Sequence, residues 1–458
     1  MQLFTAAIQL GYAAFTSRHA DPNAFGEYAV ALSATALLSI IAASGLGVAA
    51  SRMSATDESI TRPLMGLAFV TGLLTSAILV LCAAPWAQLW GAPEARRPIQ
   101  FLGLGLILSP AVGVQLGIMR RDGRFRVLAV VMVLTSLAAM MIGMTAVSLR
   151  PSAVSLAAMT VSATFLQFVA FALLLRRRGL PSLHLRNARA ELHFGSKAVV
   201  GSLILYAGVT APVVAMSQAI GLATIGSWNR ANVIGYVPLQ MVTSAAQQAL
   251  YPEFRAASAD PARTRQHWTR LLGFSVLLIW PFAAAAVPWL PVATRILLGP
   301  NWTVAGTMAQ WLLAATAIYF PLAILWAAQE SAAMFKEIWI GFSSYSAIML
   351  VASCFVLLTQ DWRSAALGMV AAAAVTLSLN LLLLFRSALL EGSAVVGYLG
   401  KSAGAAAFLF LCSGAFVRYL ANPLLGMLLS VAVGGFLYSR ILRIPTVAEM
   451  LTSLRRPV

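Results

Sequence analysis

The sequence predicts an all-α integral membrane protein with about fourteen transmembrane helices, and three observations carry that prediction. The chain is 60% hydrophobic and only 10% charged over 458 residues. Apolar stretches of span length follow one another with little polar sequence between them. Lys and Arg gather in every second gap. A soluble domain is about 45–50% apolar and about 25% charged, so water is not the solvent for most of this surface. A hydrocarbon core needs roughly 20 apolar residues per helix. The alternating segments of about ten residues that mark a membrane β-barrel do not occur. Backbone polar groups in lipid must be satisfied within their own element, so long unbroken apolar runs are helices.

In chain order the fourteen windows are Gln2–Thr16, Tyr28–Ala50, Leu64–Trp86, Ile99–Met119, Val127–Leu149, Val154–Leu175, Val199–Ile220, Val233–Tyr251, Leu271–Leu290, Val304–Ala328, Ile338–Leu358, Ala366–Phe385, Ala403–Val417 and Leu424–Leu442. The first begins at Met1 without the charged leader and small-residue cleavage site of a signal peptide, and is read as a retained helix. Pro110, Pro212, Pro238, Pro281 and Pro321 fall inside windows. Each removes a backbone hydrogen bond, making a packing kink or a bending point. Cys82, Cys354 and Cys412 are far apart, lack metal-type spacing, and read as small buried apolar residues. Trp86, Trp90, Trp289, Trp302, Trp362 and Tyr419, near window ends, fit an interfacial aromatic belt.

With the N-terminus in the cytoplasm, 23 of the 31 Lys and Arg fall in cytoplasmic connections and 8 on the other side. Short loops rich in Lys and Arg stay inside, so both termini are expected in the cytoplasm. The same distribution accounts for the net charge of +17. Nucleic-acid binding would need basic residues gathered on one soluble face; here they mark topology, and no nucleic-acid partner is expected.

Two connections stand out. Arg176–Lys197 is basic and divides the chain. Pro252–Arg270 reads as a short amphipathic surface helix, with Pro261 as a helix start. Phe25-Gly26-Glu27-Tyr28 at the second span resembles Ile225-Gly226-Ser227-Trp228 at the eighth, and Arg124-Phe125-Arg126 after the fourth resembles Met334-Phe335-Lys336 after the tenth. Copies six spans apart share an orientation, so the pattern predicts two six-helix bundles related by a pseudo-two-fold axis along the membrane normal. The expected division is residues 1–180 and 181–392 for the bundles, and 393–458 for two additional helices and a cytoplasmic tail.

Further motifs carry a family resemblance. They are Trp228-Asn229-Arg230-Ala231, then Pro238, Tyr251-Pro252, Trp280-Pro281 and Leu298-Gly299-Pro300-Asn301-Trp302. In the first half they are Ala24-Phe25-Gly26-Glu27-Tyr28 and Arg120-Arg121-Asp122-Gly123-Arg124-Phe125-Arg126. Over nearly the whole chain this resembles the Wzx-type polysaccharide (O-antigen) flippases of the multidrug/oligosaccharidyl-lipid/polysaccharide (MOP) exporter superfamily, in particular the colanic acid exporter branch. The resemblance implies two bundles in a V, a central cationic cavity and two extra C-terminal helices. It implies alternating-access export of an undecaprenyl-diphosphate-linked oligosaccharide for lipopolysaccharide or exopolysaccharide synthesis, coupled to an ion gradient. Implied partners are that lipid-linked substrate, membrane lipids, and a polysaccharide polymerase with its chain-length regulator. One departure stands out: related flippases carry an Asp in mid-seventh helix, where this chain has Pro212-Val213-Val214.

A lipid diphosphate needs fixed positive charge along its path, and an ionisable group inside a membrane segment is costly enough to be a functional candidate. The substrate-binding candidates are Arg230, Asn229, Lys197, Gln218 and Gln240. Arg230 reads either as a phosphate or sugar contact or as an interfacial arginine reaching to headgroups. Lys197 reads either as a cavity cation or as a topology anchor. Gln115, Gln167, Gln218, Gln240, Gln247, Gln248 and Gln310 suit hydrogen bonds between helices, with sugar contacts the alternative. Glu330 and Lys336 are candidates for a gate ion pair, or solvated helix ends. No metal or cofactor site is expected. A drug or cation exporter of the same superfamily is the alternative, disfavoured by the count of spans and the scarcity of buried acids. An integral-membrane polymerase or transferase would need an acid–base cluster, and the four His lie outside the windows, so no catalytic residue is assigned.

Overall fold

The computed structural model describes residues 2–43, 46, 50, 58–175, 189–257, 261–420 and 422–441. Among the described residues every regular element is helical. Eleven stretches are long and apolar enough to cross a bilayer. The remaining three windows are also helical, but fall short in length or hydropathy. These are the first, the fourteenth, and the eighth, which carries Gln240, Thr243, Ser244 and Gln247.

Contacts divide the chain into a first unit, Met1–Asn229 with Val356–Trp362, and a second, Arg230–Phe355 with Arg363–Val458. The first unit is built from α1 (Gln2–His19), α2 (Pro22–Ala43), α3 (Glu58–Leu81), α4 (Ala83–Leu89), α5 (Arg96–Arg121), α6 (Phe125–Leu149), α7 (Ala153–Leu175) and α8 (Arg189–Ala219). Helix α5 is its axis, packed by α2, α3 and α7, with α6 against α7 and α1. Gly72 lets α3 close on the Ile107 carbonyl of α5, and Ser76 Oγ donates to the Gly103 carbonyl at 2.8 Å. Tyr12 and Tyr28 reach α7, donating to the Leu156 carbonyl (3.0 Å) and pairing with Thr160 (3.0 Å).

Helix α9 (Leu222–Ala231) enters the second unit. A π-helical turn, Asn232–Tyr236, leads into α10 (Val237–Ala257). Then come α11 (Pro261–Ala286), α12 (Leu290–Leu298), α13 (Thr303–Ser331), α14 (Phe335–Thr359), α15 (Trp362–Arg386), α16 (Gly392–Tyr419) and α17 (Pro423–Ile441). Pro261 does start a helix, but the expected surface helix over Pro252–Arg270 is not separate: α10 runs through Pro252 and α11 begins ten residues before the ninth window. Helix α13 is the axis here, packed by α10, α11 and α12. Trp268, Phe320, Leu322 and Leu384 lie in its core. The last two helices dock on this unit. Ser402 of α16 donates to the Val276 carbonyl (2.6 Å), the Tyr398 ring covers Gly273, and Trp289 reaches Ser430 of α17 (3.0 Å).

Lipid-facing surface stays apolar, as at Leu73, Leu134, Leu173, Leu350 and Leu411. Cys82 and Cys354 are exposed rather than buried; in hydrocarbon a small apolar residue is at ease on the outside. Pro110, Pro212, Pro281 and Pro321 lie inside helices, as does Pro63. Pro321 cannot donate to the Ala317 carbonyl one turn back, and Trp280 Nε1 donates to that carbonyl instead, at 3.0 Å.

The paired sequence motifs also correspond in structure. Gly26 of α2 meets the Leu222 carbonyl, four residues before Gly226; Gly226 of α9 meets the Pro22 carbonyl, four residues before Gly26. The two contacts are reciprocal, each glycine meeting the first carbonyl of the other helix. The α5–α6 and α13–α14 turns match as well. Gly123 N donates to the Arg120 carbonyl (3.1 Å) and Arg124 N to Met119 (3.1 Å); Ala333 N donates to Glu330 (3.1 Å) and Met334 N to Gln329 (2.9 Å). The pivots are left-handed, Gly123 at φ 67° and Ala333 at φ 58°.

Two stability predictions follow from these turns and crossings. In detergent-solubilised protein, Ala333→Gly should stabilise or be neutral while Gly123→Ala should cost about 1 kcal/mol, read from thermal unfolding, because only the latter puts a Cβ into a left-handed turn. Gly226→Ala should cost about 1–3 kcal/mol or abolish folded yield. By contrast Gly434→Ala, with no neighbour within 4 Å, should be neutral or stabilising.

Candidate functional site

The run from α9 through the π turn into α10 carries three of the sequence candidates. Pro238 is the second residue of α10. Its ring would press on the Ile234 carbonyl one turn back and it has no N–H to offer, so a regular helix is disfavoured here; the widened turn accommodates both defects. Gly235 lies in that turn and backs directly onto the Ala309 carbonyl of α13, which locks the break against the axis of its unit.

Arg230 sits in the last turn of α9, two residues before the π turn begins. It is only 5% exposed. Arg230 and its neighbour Asn229 are both engaged in interactions within the protein. A guanidinium buried at a helix break is a fixed positive charge with several N–H donors, the group suited to a phosphate oxygen. Gln240, one turn beyond Tyr236, is half-buried, and its Oε1 is sealed from solvent with no hydrogen-bond partner. An unmatched acceptor of this kind costs about 1–3 kcal/mol.

The other candidates lie elsewhere. Gln218 is exposed, and its Nε2 donates to the Leu89 carbonyl at 2.7 Å, while Ser217 Oγ donates to Trp90 at 2.7 Å. Together they cap the end of α4, a structural duty. Lys197 lies on the backbone of α8, with its side chain outside the described residues. Glu330 and Lys336 are both exposed at the α13–α14 turn, and among the described residues no ion pair joins them. Gln115, Gln247 and Gln310 donate to the carbonyls of Phe168, Ala323 and Val287. These bonds are of the helix-bridging kind expected of glutamines in apolar windows.

Sequence reasoning passed over two features. Gln329 and Asn380, both fully buried, exchange hydrogen bonds between α13 and α15 at 3.1 and 3.4 Å; an Asn inside an apolar window was the available signal. Tyr236, Tyr319 and Tyr345 gather in the second unit. Single tyrosines in three separate windows gave no sign of it. Among the described residues no group of three or more His, Cys, Asp or Glu could hold a metal ion.

Comparison with known proteins adds the following. The succinoglycan biosynthesis transport protein ExoT of Rhizobium meliloti (strain 1021) is 23% identical over 289 residues, 63% of this chain and 58% of that protein. The match therefore spans less than two thirds of this relative. In three dimensions the chain is similar to the lipid II flippase MurJ in an inward closed conformation, with a TM-score of 0.75 at 12% identity, covering 96% of this chain and 97% of the other. It is also similar to an inward-facing multidrug resistance MATE family transporter of the MOP superfamily, with a TM-score of 0.60 at 16% identity over 85% and 94% of the two chains. At such identities the likeness is one of fold, that of all-α multi-pass membrane transporters. A model of the polysaccharide biosynthesis protein family matches residues 17–306, more than half of the sequence, and the chain belongs to that family.

Proposed function

We propose that this protein is a flippase that carries an undecaprenyl-diphosphate-linked oligosaccharide across the bacterial inner membrane by alternating access, for surface polysaccharide synthesis. The observation that carries the reading is the family match over residues 17–306, with the near full-length likeness to a lipid II flippase in support. Both known cases bear on polysaccharide or on a lipid-linked sugar: one relative is a succinoglycan transport protein, and the fold neighbour moves lipid II. Chemistry supports it as well. Arg230, buried at a helix break, offers the diphosphate a charge that a neutral substrate would not need, with Asn229 and Gln240 on the same run as further polar contacts. Lys197 remains a second cation to be weighed, and Glu330 with Lys336 a pair that could close in another conformation of the cycle.

The proposal extends to topology and partners: both termini in the cytoplasm, two six-helix bundles at residues 1–180 and 181–392 with two helices beyond, and delivery of substrate to a polymerase with its chain-length regulator. It is a transporter reading, with no catalytic step assigned to the chain. A drug or cation exporter is the second reading, favoured by the MATE fold likeness alone.

Deleting the gene should leave lipid-linked repeats on the cytoplasmic leaflet, detected by their protection from a periplasmic glycosidase or label; normal surface polysaccharide without a compensating paralogue would overturn the reading. At equal expression Arg230→Ala should cut export by about tenfold or more, the equivalent of one lost charge-assisted hydrogen bond. Arg295→Ala, on an exposed residue, should leave export near normal. Equal phenotypes would remove Arg230 from the site.

A further inference from the structure

The tyrosines of this chain divide into two kinds. In the first unit Tyr12, Tyr28 and Tyr206 each spend the hydroxyl on another helix, at the Leu156 carbonyl, Thr160 and the Ser33 carbonyl. In the second unit Tyr236, Tyr319 and Tyr345 do not: among the described residues none of their hydroxyls has a hydrogen-bond partner. Tyr236 closes the π turn, Tyr319 lies midway along α13 two residues before Pro321, and Tyr345 lies midway along α14. The rings of Tyr319 and Tyr345 meet edge-on at 5.9 Å, and Tyr319 meets Trp326 at 5.6 Å. The π turn that Tyr236 closes packs against α13, the helix that carries Tyr319. Tyr345 is only 4% exposed.

Burying a hydroxyl without a partner is unfavourable, the more so at membrane depth. Three gathered in one unit, two of them meeting ring to ring, call for an occupant. The local acceptors are already used: the Ala317 carbonyl freed by Pro321 takes the Trp280 indole, and the Ala323 carbonyl takes Gln247. One turn beyond Tyr236, Gln240 Oε1 also lacks a partner.

We propose that Tyr236, Tyr319 and Tyr345 form a contact wall for the sugar of the transported lipid, separate in role from the cationic group at Arg230. A phenol both donates and accepts a hydrogen bond, as a sugar hydroxyl does. Its ring presents an apolar face to the C–H side of a pyranose and is rigid, so little entropy is lost on contact. Being neutral, the trio has no Coulombic pull on the diphosphate. The division of labour is then one helical run, α9 to α10, on which Arg230 handles charge, while Tyr236 contributes with α13 and α14 to sugar recognition. This inference rests on the flippase reading and adds to it the residues that sense the carbohydrate.

The test compares two ligands on the purified full-length protein. One is undecaprenyl diphosphate. The other is the lipid-linked repeat unit extracted from a polymerase-deficient host strain. The triple variant Tyr236→Phe, Tyr319→Phe, Tyr345→Phe keeps every ring and removes only hydroxyls. It should bind the glycosylated lipid about tenfold or more weakly while its affinity for undecaprenyl diphosphate stays within about twofold, as expected for the loss of hydrogen bonds made only to sugar. If the triple variant fails to fold, the three single Tyr→Phe variants are read in the same way, each expected to lose about threefold to fivefold on the glycosylated lipid alone. Tyr12→Phe is the control: it breaks a helix contact, so it should lower thermal stability and leave both affinities unchanged. Unchanged binding of the glycosylated lipid, or an equal loss on both lipids, overturns the sugar wall while leaving the flippase reading in place. A wild-type protein that binds neither lipid overturns both.

Discussion

In hydrocarbon a backbone carbonyl has no water to fall back on, and this structure depends on how each freed carbonyl is met. Prolines and helix ends create the need; side chains from neighbouring helices meet it. Pro321 frees Ala317, which takes the Trp280 indole; the end of α4 takes Ser217 and Gln218; Val287, beside a short 3-10 turn, takes Gln310. These bonds join helices within a unit, so each repair of a local defect also fixes an interhelical register. Polar residues scattered through apolar windows thereby become the fastenings of the bundles. Measured interhelical hydrogen bonds of this kind are worth only about 0.6 kcal/mol on average, so they specify position more than they add stability.

The same accounting shows where the pattern stops. Arg230 and Gln240 flank a π turn that exists because Pro238 cannot continue a regular helix, and Gly235 pins that turn to α13. Beside it lies a Gln240 oxygen with no hydrogen-bond partner. Unmatched buried atoms also stand at Gln115, Trp268 and Thr294, so what sets this region apart is the helix break together with the buried charge of Arg230.

Close helix crossings supply the other constraint. Gly26 and Gly226 allow α2 and α9 to approach until each glycine meets the other helix's first carbonyl. The matched turns at Gly123 and Ala333 repeat the device at the ends of α5 and α13. Glycine suits such turns, yet the second copy uses Ala at φ 58°, a strained choice at a position where Gly would be free. The turn geometry thus outlasts the residue that best suits it.

Much of the fold was legible in the sequence because hydrophobicity in a bilayer is nearly a length measurement. Among the described residues all fourteen windows are helical, the paired motifs Phe25–Tyr28 and Ile225–Trp228 lie together, and Pro261 begins a helix. Window ends were less legible: α10 runs through Pro252 because a polar helix end beyond the bilayer leaves no hydropathy signal. Composition also picked out Arg230, since a charge beside an apolar window is rare. It had no means of telling a lipid-facing arginine from one buried at 5% exposure, nor Gln218 as a cap from Gln240 as an open group. Those distinctions depend on which helix lies opposite, and helix pairing is decided by steric fit between side chains distant in the chain. So the sequence by itself determined the class, the apolar spans and the residue types available for a phosphate. Only the tertiary structure decided which polar side chains hold helices together, as Ser217, Gln218 and Gln310 do, and which are buried at a helix break, as Arg230 is.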